Sequence, residues 1–137
     1  MRPQEIRILL VEDSAEDIAL TRRVLRKAGL DRGLAMAADG REALESLERM
    51  TNGAEPEARL PDLILLDINL PDLSGLEILT RIKKDARFTG IPVVMLTGSN
   101  TGNDIQRSYD LGAATYLVKP VSIEALKLAM KNLFSVV

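Results

Sequence analysis

Four apolar runs in this sequence each end on a polar residue able to do chemistry. Glu12-Asp13 follow Ile8-Leu9-Leu10-Val11, and Asp67 follows Leu63-Ile64-Leu65-Leu66. Thr97 follows Val93-Val94-Met95-Leu96, and Lys119 follows Tyr116-Leu117-Val118. If these ends meet, three carboxylates, one hydroxyl and one ammonium surround a single spot. Crowded carboxylates repel one another, and a divalent cation relieves that repulsion. Two carboxylates, a backbone carbonyl, water and a phosphoryl oxygen would complete the six-oxygen shell that Mg²⁺ demands. Asp67 is the best nucleophile candidate, because a central strand terminus holds it rigidly for in-line attack on phosphorus. Lys119 would then neutralise a non-bridging phosphoryl oxygen, and Thr97 could donate a hydrogen bond to another. Taken singly, each residue has a plainer reading: Asp13 as a helix cap, Lys119 as a surface lysine, Thr97 as ordinary strand content. The chemical reading comes from the four places together.

Residue types that are missing narrow the chemistry further. The 137 residues include no histidine and no cysteine. Ser-His and Cys-His nucleophiles, imidazole zinc sites, thiolate sites and disulfides are excluded. A bound metal must be held by oxygen, which favours Mg²⁺, Mn²⁺ or Ca²⁺. Any phosphohistidine in this chemistry belongs to a partner. At 46% hydrophobic and 28% charged, the chain can bury a core. The 18 Lys+Arg against 20 Asp+Glu leave a net charge of -2, so no basic excess points to nucleic acid or an anionic membrane. No apolar stretch approaches the roughly 20 residues of a membrane span. The first residues lead straight into a strand without a signal-peptide core, so a cytoplasmic location is the default.

The elements that must position these residues alternate strand and helix five times. Apolar runs that do not alternate with polar residues suggest strands buried on both faces, as in a parallel sheet covered by helices. Ser14, with Asp17 three residues on, caps a first helix carrying Ile18, Val24, Leu25 and Ala28, and Gly29 stops it. Leu34 to Ala38 is a weak strand, poor in β-branched residues and placed at an edge. Asp39-Gly40-Arg41-Glu42 is a capping box for a second helix, and Thr51 to Pro61 is a long solvated loop. The third strand runs from about Asp62 to Asp67, and Leu76, Leu79, Ile82 and Ala86 mark a third helix after the Leu70 to Gly75 turn. A poorly specified fourth helix lies near Asn100 to Leu111, and Ser122 caps a fifth with Ile123, Leu126, Met130 and Leu133 on one face. Right-handed crossovers that cover both faces are met by a doubly wound α/β sheet in the order 2-1-3-4-5. Its switch point falls between strands 1 and 3, which carry Glu12-Asp13 and Asp67.

The stretches Leu10 to Ser14, Leu65 to Gly75, Pro92 to Thr97 and Tyr116 to Pro120 resemble the receiver domain of two-component response regulators. The resemblance runs from about Ile6 to Phe134 and implies a flavodoxin-like receiver fold, with residues 1–137 as a single domain. It implies that Asp67 is the phosphoacceptor for a sensor histidine kinase. Asp13 would bind Mg²⁺ (or Mn²⁺) directly, Glu12 through water, and the Asn69 carbonyl would be a further ligand. Lys119 would contact the phosphoryl group, with a cis Lys119–Pro120 bond. Thr97 and Tyr116 would form the switch, and the fourth helix, fifth strand and fifth helix would carry the output to a downstream protein or a homodimer partner. The long Thr51 to Pro61 loop and the stretch from Arg107 to Pro120 are similar to receivers that pair with bacterial phytochrome kinases. Glu12 stands where many receivers carry Asp, and Gly98 leaves access beside Thr97 open.

Two rival readings have discriminating features. A phosphatase of the haloacid dehalogenase type also uses a nucleophilic Asp with Mg²⁺, but it needs a second Asp two residues on, where this chain has Asn69. A receiver-like module that binds without phosphorylation would lose Asp67 or Lys119, and both are present.

Overall fold

The computed structural model describes residues 2–51, 59–98 and 102–134. Five strands, β1 (Arg7–Val11), β2 (Gly33–Ala37), β3 (Leu63–Asp67), β4 (Val93–Thr97) and β5 (Thr115–Val118), alternate with five helices. The helices are α1 (Ala15–Lys27), α2 (Gly40–Thr51), α3 (Gly75–Lys84), α4 (Gly102–Asp110) and α5 (Ile123–Phe134). All four strand pairings are parallel, and the order is β2-β1-β3-β4-β5. This is the doubly wound flavodoxin-like arrangement, with its switch point between β1 and β3.

The unbroken apolar runs are explained by burial on both faces. Leu9, Val11, Ile64, Leu66, Val93 and Met95 point to one side, where Leu47 of α2 and Leu79 of α3 cover them. Ile8, Leu10, Leu63, Leu65, Val94 and Leu96 point to the other, under Leu25 of α1 and Leu126 and Met130 of α5. Each fully buried Leu or Ile contributes roughly 1.5–3 kcal/mol relative to exposure. The three central strands therefore hold their C-terminal ends as a rigid edge.

The elements depart from the sequence expectation in a few places, each for a local reason. A 3-10 turn, Pro3–Glu5, precedes β1, so the chain does not run straight into the strand. β2 ends at Ala37 because the Ala38 N–H leaves the ladder and donates to Glu42 Oε2 at 3.0 Å, while the Glu42 N–H donates to Asp39 Oδ1 at 2.8 Å. Ala86 lies outside α3: Asp85 is extended, and its carboxylate accepts from the Arg87 backbone and guanidinium. β5 is not buried on both faces; it is an edge strand, and Val118 is 40% exposed. α4 buries only Ser108, in keeping with its sparse apolar anchors. Asn100, and most of the Thr51 to Pro61 loop, fall outside the described residues.

Candidate functional site

The parallel register delivers the predicted residues to one sheet edge. Glu12 follows β1, and its N–H extends the ladder by donating to the Ala37 carbonyl at 3.0 Å. Its side chain folds back so that Oε1 accepts the N–H groups of Asp13 and Ser14, both at 3.1 Å. Asp67 is the last residue of β3, is buried, and accepts the Asn69 N–H on Oδ1 at 3.0 Å. Oxygen atoms of Glu12, Asp13 and Asp67 all lie within 4.8 Å of one another. An all-oxygen, carboxylate-rich donor set of this kind fits a hard cation such as Mg²⁺ or Mn²⁺. Asn69 sits exposed in the loop directly after Asp67, next to this cluster in sequence.

Lys119 enters from the far end of the sheet. Its backbone N–H donates to the Thr97 carbonyl at 2.7 Å, which ties it to β4, and the Lys119–Pro120 peptide bond is cis. The ammonium then has three N–H donors and three carboxylate partners. These are Asp67 Oδ2 at 2.9 Å, Asp17 Oδ2 at 2.9 Å and Glu12 Oε2 at 3.3 Å. Burial works to lower the Lys119 pKa, but the bonds to Asp17 and Asp67 outweigh it and hold the value above the ordinary one. Glu12 is pushed up to about 7, first by burial and then by the neighbouring Asp67 carboxylate, against the pull of the Ser14 N–H and Lys119. The pocket is short of positive charge.

Thr97 ends β4 one position past Leu96, the residue paired with Asp67, and it is buried. Gly98 beside it is exposed, and a side chain there would meet nothing within 4 Å. Tyr116 is half-buried on β5, packed against the core and edge-on to Tyr109 of α4, with ring centres 6.2 Å apart. The Tyr109 and Thr115 hydroxyls lie 3.3 Å apart, a second link between α4 and β5.

The loop after Asp67 is shaped by Gly75. Its N–H donates to the Ile68 carbonyl at 2.8 Å. A Cβ at this position would strike the Asp67 carbonyl oxygen and lie 2.7 Å from Ile68 Cα. Only glycine lets α3 begin against the Asp67 backbone. Two carboxylates escaped sequence reasoning. Asp17 was expected only as a capping residue, yet its side chain reaches Lys119. Its place in the first turn was the available signal, because helical side chains lean toward the N-terminus and hence toward the β1 edge. Asp72, in the loop after β3, accepts the N–H groups of Gly40 and Arg41 on separate oxygens, both at 2.9 Å, and so caps α2.

Comparison with known proteins agrees with this arrangement. The family model described as "Response regulator receiver domain" matches residues 8–131. Response regulator Rcp1 of Synechocystis sp. is 40% identical over 119 residues, which is 87% of this chain and 80% of that protein. The solved phosphorylated cyanobacterial phytochrome response regulator RcpA superposes with a TM-score of 0.77 at 35% identity, covering 95% of this chain and 94% of that one. The Mn²⁺-bound form of Rcp1 superposes with a TM-score of 0.72 at 36% identity, covering 93% and 92%. The chain belongs to the response regulator receiver domain family.

Proposed function

We propose that this chain is a response regulator, one receiver domain over residues 1–137, that is phosphorylated on Asp67 by a partner sensor histidine kinase. The carrying observation is the pair formed by the buried Asp67 carboxylate and the Lys119 ammonium at 2.9 Å, beside the Glu12-Asp13 carboxylates. An Asp67 oxygen attacks the phosphorus of the partner's phosphohistidine, the P–N bond breaks, and the imidazole leaves with a proton from water. Lys119 pairs with a non-bridging oxygen of the transferred group, and Thr97 donates to another. Asp13 and Asp67 directly, Glu12 through water and the Asn69 carbonyl would hold Mg²⁺, which when bound would neutralise phosphoryl charge; the carboxylate cluster and the Mn²⁺-bound Rcp1 support this, with Mn²⁺ as a substitute. The chain is a phosphoryl acceptor and not a turnover enzyme: Asn69 cannot serve as the general acid that a phosphatase of this kind needs.

The signal leaves through α4, β5 and α5. Phosphorylation draws Thr97 toward the new dianion, and Tyr116, already packed beside Tyr109, turns inward behind it. α4 is poorly anchored in the core, so it shifts at little cost. Exposed Tyr109, Val118 and Leu128 give this face apolar surface for a downstream protein or a second copy of the chain. The phytochrome-linked RcpA supports a bacterial phytochrome as the kinase, and the proposed exchange takes place in the cytoplasm. No described helix is long and apolar enough to cross a membrane. The test is labelling by acetyl phosphate with Mg²⁺. Wild type should accept up to one equivalent and Asp67→Asn none; a labelled Asp67→Asn overturns the assignment.

A further inference from the structure

We infer that Asp17 is a positioning residue for this reaction: it keeps the Lys119 ammonium in the pocket while Glu12 and Asp67 are otherwise engaged. The inference rests on Asp67 being the phosphoacceptor. Lys119 has three carboxylate partners, and two of them, Glu12 and Asp67, belong to the cluster whose oxygens converge within 4.8 Å. Asp17 is not a member of that cluster. A cation held there competes with Lys119 for Glu12 and Asp67. Phosphorylation converts the Asp67 carboxylate into an acyl phosphate and changes that partner again. Of the three partners, Asp17 is the one that lies outside the carboxylate cluster and is not the residue phosphorylated.

The geometry suits the task. Asp17 lies in the first turn of α1, where its own N–H donates to the Ser14 hydroxyl at 3.3 Å. The helix N-terminus favours its negative charge. Its contact with Lys119 spans 102 residues of sequence and joins α1 to the loop after β5. The Lys119 side chain is only 15% exposed against 32% for Asp17, so the pair is partly shielded from water. A lysine without such a partner has four rotatable bonds through which to swing out of reach.

The experiment compares wild type, Asp17→Asn, Lys119→Met and the double variant. With saturating Mg²⁺ and acetyl phosphate, Asp17→Asn should be labelled about tenfold more slowly, as expected for a misplaced charged group. Its Mg²⁺ affinity by calorimetry should stay within about threefold of wild type, since Asp17 lies outside the carboxylate cluster and acts on the ion only as a partly exposed, screened charge. Urea unfolding of the four proteins gives the Asp17–Lys119 coupling, expected at about fivefold in the unfolding constant and unchanged by Mg²⁺. An unaltered labelling rate, a larger loss of Mg²⁺ affinity, or a coupling that vanishes when Mg²⁺ is added overturns the role of Asp17. Labelling of an Asp67→Asn control would instead refute the phosphoacceptor reading and leave the measured coupling standing.

Discussion

Glu12 makes the metal-free protein lose stability as the pH rises toward neutrality, the reverse of a salt-bridged carboxylate. Its side chain is 1% exposed and its pKa is raised from 4.5 to about 7, by burial first and by the Asp67 carboxylate next. The unfolded chain releases this proton near the ordinary value, while the folded chain keeps it until about 7. In that window the folded state binds more protons, so stability falls with rising pH. At 1.36 kcal/mol for each tenfold difference, the rise corresponds to about 3 kcal/mol. That is a large part of the roughly 5–15 kcal/mol that holds a domain of this size together.

The assay is urea unfolding in a chelator from about pH 4 to about pH 8, on wild type and on Glu12→Gln. Gln is neutral throughout, so the difference between the two curves reports Glu12 together with its coupling to Asp67. The difference should shift by about 3 kcal/mol against wild type across the window and then level off. Saturating Mg²⁺ should flatten the shift, because the ion selects the deprotonated carboxylate, and binding near pH 6 should release about one proton. A flat difference curve in the chelator would refute the burial argument.

Two further outcomes concern the backbone around Asp67. Gly75→Ala places a Cβ against the Asp67 carbonyl and 2.7 Å from Ile68 Cα, so the loop must move. It should cost about 1–3 kcal/mol in urea unfolding and slow labelling of Asp67 as well; a loss below about 0.5 kcal/mol contradicts the contact. The Gly40 N–H, helped by Leu73 and Arg41, holds the Asp72 carboxyl down to about 2. Its capping contribution is therefore present above the ordinary 3.8 and fades as the pH falls toward about 2. Asp72→Ala should melt below wild type at neutral pH, and the gap should close on acidification; a gap independent of pH rules out the cap.

The central sheet was legible in the sequence because β1, β3 and β4 are buried on both faces, a condition that writes itself as unbroken apolar residues. The edge places of β2 and β5 were legible too, from the weak second segment and the strand order, but the burial of β5 was not. β5 carries the same kind of run, yet Val118 faces solvent, since a short apolar segment does not reveal how many neighbours it has. The end of α3 was overestimated at Ala86 because Ala continues the periodicity, whereas the stop comes from the Asp85–Arg87 fork.

The site followed the same division. Glu12, Asp13, Asp67, Thr97 and Lys119 were legible because strand order alone brings strand ends together. Asp17 and Asp72 were not, because neither ends a strand: Asp17 lies in the first turn of α1 and Asp72 in a loop, so strand order says nothing of their partners 102 and 32 residues away. For Asp17 the local reading was correct as far as the backbone goes: its N–H caps against Ser14. That bond uses only the N–H and leaves the carboxylate free to serve elsewhere, so one residue answers to a local rule through its backbone and to a tertiary one through its side chain. The consequence is chemical. Three carboxylates bond one ammonium and a fourth, Asp13, stands beside two of them, so an edge built this way is rich in acidic groups. On the proposed function, a dianionic phosphoryl group would enter only where their charge is offset, which would make a cation and a firmly held Lys119 joint requirements of the same pocket.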